Sequence, residues 1–426
     1  MSVVRRERLG DGDPVALAAT FRPPPGADLS ARTAEVIDDV RRRGDEAVIE
    51  HVARYDAPGF AGPLRVAPEA IRAAAGAAPQ ALRDAIVTAA SQVRLVAEGL
   101  MGDEVVLELP YGQSVRSVAV PVGAAACYVP GGRAAYPSSL IMCAVPAQVA
   151  GVSRVVVVTP PGPDGDAHPS VAAAAGLLEI DEVYVAGGAA AVAALALGTE
   201  TIAPVDVITG PGSAWVQEAK RQLVGTVGID GIAGPSEVMI LADAAADATS
   251  VALDLLAQAE HGPDSVAVVA ATDPDLLDAV AEQMMRQGPI GQVVLVDCRS
   301  MDDALALSEA MAPEHLEVLV EDPEPLVARV TTAGAVFVGR HGATAFGDYV
   351  AGSNHVLPTG GAARFASALG PATYTRRMSV VEMSDRAVVE LVPHLAALAD
   401  AEGFALHRRS AERRAALAGE PGSPGA

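Results

Sequence analysis

The segment LLAQAEHGPD, Leu255 to Asp264, ends an Ala/Leu-rich helical pattern in an amide, a carboxylate and an imidazole: Gln258, Glu260 and His261. Gln258 and His261 are three residues apart, so on a helix they share a face. Gly262 and Pro263 follow as a stop signal. Such a helix presents an amide oxygen and an imidazole together at its C-terminal end. That suits a metal site or a catalytic pair, but most helix ends of this kind are caps without chemistry, so the company they keep decides.

Other segments supply that company. In APEHLEVLV, Glu314 and His315 are adjacent, an acid and an imidazole fit for proton transfer, with Pro313 preset as a first helical residue. Asp348 lies in a Gly-flanked loop, FGDYVAGSNH, seven residues before His355. In DAEGFALHRR, Gly403 breaks a helix so that Glu402 and His407 can turn toward one point. Taken singly, each is better read as structural. Together, two imidazoles, a carboxylate and a neutral amide oxygen are acceptable zinc ligands that leave positive charge and open positions for a substrate. No HxxxH or HExxH motif is present, so such a site has to be assembled from distant segments. His51 and His394 read as structural, and His168 as solvated.

The elements that must position these groups follow from composition. A chain of 426 residues, 50% hydrophobic, exceeds one ordinary core and suggests two or three domains. Its apolar runs, such as VSRVVVVTPP and SEVMILADA, are short and bounded by turn residues, as buried parallel strands are, and none approaches a membrane span. The N-terminal segment has no apolar signal region. Cys127, Cys143 and Cys298 are too few for a disulfide framework and read as small buried hydrophobes, which favours a cytoplasmic protein. A net charge of −23 argues against nucleic-acid and anionic-membrane partners.

From about residue 126 the chain alternates strand, turn and helix at close spacing, and after the Leu255–Asp264 segment a second such series begins. This predicts an α/β protein with two Rossmann-like domains, mainly parallel sheets, a small N-terminal arm and a helical C-terminal region. No GxGxxG follows a strand, although Gly187–Gly188 and GPGS place small residues where an anion could sit at a helix N-terminus. The expected divisions are an arm over 1–26, a discontinuous metal-site domain over 27–125 and 237–370, and a cofactor domain over 126–236. A helical region over 371–417 and a disordered tail over 418–426 complete the chain.

The motifs CYVPGG, YPSS, GPG, AKR, VGID, AGPSE, QAEHGPD, APEHLE, GDYVAGSNHVLPTGG and AEGFALH, spread from roughly Glu35 to Arg413, resemble those of the histidinol dehydrogenase family. The resemblance implies a homodimeric enzyme with one zinc per subunit that oxidises L-histidinol to L-histidine through an aldehyde, passing two hydrides to NAD. It implies zinc ligands Gln258, His261, Asp348 and His407, the last from the partner subunit, with Glu260 as an outer neighbour. Substrate contacts carry over to Ser236, Gln258, His261, His315, Asp348, Glu402 and His407, and the acid–base pair to Glu314 and His315. On the cofactor side the positions are Tyr128, Ala190 and Ser213.

Two of those cofactor positions depart from the family's usual residues: Ala190 stands where Gln is usual and Ser213 where Asn is usual. Alanine donates no side-chain hydrogen bond, whereas serine can still cap a helix or reach a hydroxyl. A lost neutral hydrogen bond costs about 0.5–1.5 kcal/mol, enough to weaken NAD binding without abolishing it. Cys143, where Asn is frequent, is a lesser change. The competing readings are a same-fold dehydrogenase acting on another amino or sulfonated polyol, a zinc hydrolase with a metal-bound water, and a non-catalytic scaffold.

Overall fold

A computed structural model describes residues 4–22, 28–102, 104–131, 134–287 and 292–418. Its contacts divide the chain into two compact units, one of Met1–Leu100 with Val122–Tyr374 and one of Met101–Pro121 with Thr375–Ala426.

The first unit holds two parallel sheets. The first sheet has the order Val183–Val185, Arg154–Thr159, Ala124–Tyr128, Val207–Thr209, Gly228–Ile229. The second has the order Val4–Arg8, Gln292–Asp297, Val266–Ala271, Glu237–Ala242, His315–Leu319, Ala335–Val338. Apart from Val4–Arg8 at the edge of the second sheet, the chain in each starts near the middle, winds to one side and then crosses to the other, so each has a topological switch point beside its first wound strand. Alternate residues of a strand feed opposite faces. Ala125 and Cys127 enter one apolar core while Ala126 and Tyr128 enter another. In the second sheet Met239 and Leu241 face one core, Val238 and Ile240 the other.

Packing redraws the expected divisions. The helices Ser30–Arg43 and Asp45–Tyr55 bury Ile37, Val40, Val48 and Val52 against one face of the first sheet. The helix Gln80–Gly99 puts Ile86, Ala89 and Val93 against its other face. Residues 30–99 therefore cover the first sheet and not the second, with which the sequence reading grouped them. Amphipathic stripes say that a helix must be covered, not by which sheet. The N-terminal arm is part of the second sheet: Val4–Arg8 pairs in parallel with Gln292–Asp297, and Phe21 is fully buried.

The second unit is an antiparallel sheet of Val105–Glu108, Ser114–Pro121 and Thr375–Glu382, with helices Asp385–Glu402 and Ala405–Ala418. Thr375–Glu382 is thus a strand inside a region read as helical; Ser114–Pro121 pairs with it, and Val105–Glu108 pairs with Ser114–Pro121, so both belong to this unit instead of a metal-site domain. Gly403, at φ +79°, ends the first helix as expected. The expected disordered tail falls, from residue 419 on, outside the described residues. Among the described residues no helix is long and apolar enough to cross a membrane.

Candidate active site

The second sheet gathers an acid–base cluster at the amino ends of its central strands. Strand Glu237–Ala242 begins just after Ser236, and strand His315–Leu319 begins just after Glu314. The helix Ala248–Ala259 runs back antiparallel to the strand before it, so its C-terminal end returns to this same edge. Asp247 caps its start by accepting from Ser250 N at 2.9 Å, and Val251, Ala252, Leu255 and Ala259 form its buried stripe. At its end Gln258 is buried, 3% exposed, and His261 is exposed, its Nδ1 3.2 Å from Gln258 O.

The segment after Pro313 is a buried strand, not the helix start the proline suggested. Ala312 adopts the left-handed conformation that ends the preceding helix, and every residue from His315 to Leu319 is buried. Gly334 is required beside it, since a Cβ there would lie 2.5 Å from Glu314 O. Asp348, expected in a loop, sits instead in a six-residue helix, Thr344–Tyr349.

Glu314 and His315 converge although consecutive strand residues point apart, because Glu314 precedes the strand. Glu314 Oε2 accepts from Ser236 Oγ at 2.7 Å and Glu237 N at 2.8 Å. Burial raises its pKa above the usual carboxylate range despite these bonds and the nearby imidazole. His315 Nδ1 lies 3.1 Å from Glu237 O, and a carbonyl only accepts, so Nδ1 carries the proton and Nε2 is the acceptor in the neutral ring. Nε2 is buried, lies 3.6 Å from Asp348 Oδ1 and has no hydrogen-bond partner. Burial pulls the pKa of His315 down, but the charge of Glu314 and the Asp348 carboxylate outweigh it and carry it up to about 9. Burial likewise pushes Asp348 up, and His315, His355 and His261 more than offset this, leaving it below its usual value. His355 braces the helix end, its Nδ1 donating to Asp348 O at 2.8 Å.

Within the first unit the structure therefore brings together Ser236, Glu314, His315 and Asp348, with Gln258 and His261 on the helix end at the same edge. Glu402 and His407 belong to the second unit, where both are exposed. Among the described residues no cluster of three His, Cys, Asp or Glu side chains could hold a metal. The donors of this chain do fit one in part. Gln258 Nε2 is buried without a partner, which is uncommon for a buried amide, and rotation of the amide would put its oxygen there.

A second site opens at the carboxyl ends of the first sheet, where its strand order reverses. A cleft of about 740 Å³ is lined by Tyr128, Gly187, Gly188, Ser213 and Trp215, with Asp56 and Arg32 on the helical side. The Tyr128 hydroxyl accepts from Gly188 N at 3.2 Å, fixing the ring against the turn. Ser213 is the N-cap residue of helix Ala214–Leu223, without a side-chain cap bond. Ala190 is 1% exposed in the core and is no part of the cleft wall; Ala189 is. Ala189 and Ala190 are equally buried, so the expected contact at Ala190 remains a matter for ligand binding.

Two features here carried no role in the sequence reading. Lys220, wholly buried, donates to Asp230 Oδ1 at 2.7 Å and Gly210 O at 2.6 Å, while Gly210 N donates to Asp230 Oδ2 at 2.7 Å. The pair clamps the turn below the cleft, and Gly210 itself approaches Tyr128 so closely that a Cβ would fall 2.2 Å from its carbonyl oxygen. The motifs AKR and VGID hold both partners, but their spacing does not reveal the pairing. Asp56 shows no motif, and its Oδ2 is buried without a partner.

Fold and site together define a two-sheet α/β enzyme with acid–base machinery on one sheet and an open cleft on the other. A family model described as histidinol dehydrogenase matches residues 25–415. The histidinol dehydrogenase of Zymomonas mobilis is 44% identical over 398 residues, covering 90% of this chain and 92% of that one. That of a Synechococcus strain is 45% identical over 401 residues, covering 90% and 92%. A crystal structure of histidinol dehydrogenase from Elizabethkingia anophelis superimposes with a TM-score of 0.91 at 31% identity, covering 96% of this chain and 98% of the other. This chain belongs to the histidinol dehydrogenase family, and it is an oxidoreductase.

Proposed function

We propose that the enzyme oxidises L-histidinol to L-histidine in two successive steps, with NAD in the first-sheet cleft and zinc at the second-sheet edge. The observation that carries this reading is the buried Glu314–His315–Asp348 cluster, in which one imidazole nitrogen is fixed as donor and the other lies unpartnered. Gln258, His261 and Asp348 of one subunit and the partner subunit's His407 would hold the zinc; when bound, it supplies orientation of the substrate's nitrogens and some Lewis acidity. NAD supplies the acceptor for each hydride.

The protein's own groups move the protons. His315, whose raised pKa of about 9 makes its neutral ring available on the alkaline side, takes the hydroxyl proton on Nε2 as the alcohol carbon loses its first hydride. Glu314 then takes a proton from water as its oxygen adds to the aldehyde carbon; the hydrate anion loses the second hydride to give the carboxylic acid, which releases its proton to solvent as the carboxylate forms. Burial suits Glu314 to this task by raising its basicity. Ser236, through its bond to Glu314, holds that carboxylate in place, and Glu402 and the partner subunit's His407 complete the substrate contacts. The helix pair carrying those two residues exposes Leu398, Phe404 and Leu406, apolar side chains suited to burial in a homodimer.

The test is Glu314→Gln assayed separately with L-histidinol and with the aldehyde. The reading predicts a loss in the aldehyde step at least about 10-fold larger than in the alcohol step. Equal losses in both would remove Glu314 from the hydration step.

A further inference from the structure

The helix Ala248–Ala259 and the short helix Thr344–Tyr349 carry Gln258 and Asp348, and each bears another polar residue one turn earlier, Asp254 and Thr344. Between them stands Glu317, in the middle of strand His315–Leu319 and fully buried at 0% exposure. Glu317 Oε1 accepts from Thr344 N and from Thr344 Oγ1, both at 2.8 Å, and so caps the start of the second helix. Its Oε2 is buried with no hydrogen-bond partner. Asp254 is its carboxyl neighbour from the other helix, close enough for its charge to act on Glu317. A buried glutamate in mid-strand is costly, and neither the proton transfers nor the substrate contacts described above use it.

We propose that Glu317, with Asp254, is a positioning residue that ties the helix bearing Gln258 to the helix bearing Asp348 and sets the separation of those two zinc-binding side chains. One carboxyl oxygen fixes the Asp348 helix by its first backbone N–H, and this helix packs against the one on which Asp254, the carboxyl neighbour of Glu317, stands one turn from Gln258. Burial is the main reason that both carboxyls hold protons more tightly than usual, Asp254 to about 6 and Glu317 to about 7. A protonated carboxyl between the two helices turns a repulsion into a hydrogen bond. The pair is given no part in the proton transfers or substrate contacts above, so its effect is read at the metal.

The inference rests on the zinc reading, and the experiment separates the two. Glu317→Leu removes the bonds to Thr344 and the carboxyl beside Asp254. Glu317→Gln keeps an oxygen for Thr344 N–H and offers an N–H to Asp254, imitating the protonated acid. Zinc affinity is measured by competition with a chromophoric chelator on zinc-free protein, alongside the thermal midpoint of each zinc-free variant. The expected result is zinc binding about 10–100-fold weaker in Glu317→Leu and within about threefold of the parent in Glu317→Gln. Should Glu317→Leu fail to fold, Asp254→Ala, at a half-buried position, serves instead, with about 3–10-fold weaker binding expected. Parental affinity in Glu317→Leu or Asp254→Ala, or a Glu317→Gln as weak as the leucine variant, would overturn the positioning role. A parent protein that binds no stoichiometric zinc would overturn the metal reading itself.

Discussion

Asp56 has one carboxyl oxygen buried without a partner on the wall of the first-sheet cleft. Burial raises its pKa from 3.8 to about 6. Because the folded value lies above the ordinary one, the fold favours the protonated acid. That stability is complete below about pH 4 and is lost as pH rises through 6. Asp56→Asn should therefore match the parent at pH 4 and exceed it at pH 8, by on the order of 1 kcal/mol after allowance for partial exposure. Thermal midpoints at the two pH values check this; a difference independent of pH would remove the burial argument. At this scale the sequence was informative where chemistry shows in residue type. Glu314, His315 and Asp348 could be singled out because histidines are few, eight in the chain, and each of these acids lies close in sequence to one. Asp56, a carboxylate at the end of an ordinary amphipathic helix, was not, because its burial comes from Gly187 and Tyr128 far along the chain.

Elements place these residues through ends and turns. The Gly210 turn below the cleft is clamped by the Lys220–Asp230 pair, whose side chains are 1% and 8% exposed. Removing one partner strands the other charge in the interior. Lys220→Met should cost about 3–5 kcal/mol in urea unfolding and weaken dinucleotide binding as the turn relaxes. A loss under 1 kcal/mol with unchanged binding would show the clamp to be dispensable. Strand and helix alternation from residue 126 onward was readable, since short β-branched runs separated by Ala-rich helices have few other solutions. The segment after Pro313 was misread because proline presets φ for a helix start but also ends a loop before a strand, and burial by both neighbouring strands decided. Thr375–Glu382 was missed for a related reason: only its pairing with Ser114–Pro121, about 260 residues earlier, makes it a strand.

The whole molecule combines two sheets wound on one plan with a separate small unit that carries Glu402 and His407. The cleft of the first sheet lies at strand carboxyl ends, as switch-point sites do, whereas the acid–base cluster of the second lies at strand amino ends. This inversion was not visible in the sequence, because motif order along the chain does not reveal which edge of a sheet a helix end reaches. If the proposed site is shared between subunits, His407→Ala and Asp348→Ala should complement each other. Refolded as an equal mixture, half the dimers carry one intact site, giving about a quarter of parental activity from two inactive variants. No recovery would place His407 and Asp348 in one subunit's site.

Zinc-dependent four-electron oxidation of one small substrate is checked by counting NADH formed per L-histidinol consumed, before and after chelation. Two NADH should form for each L-histidinol, with turnover abolished by the chelator and restored by zinc. One NADH with release of the aldehyde, or full turnover that survives removal of the metal, would contradict it.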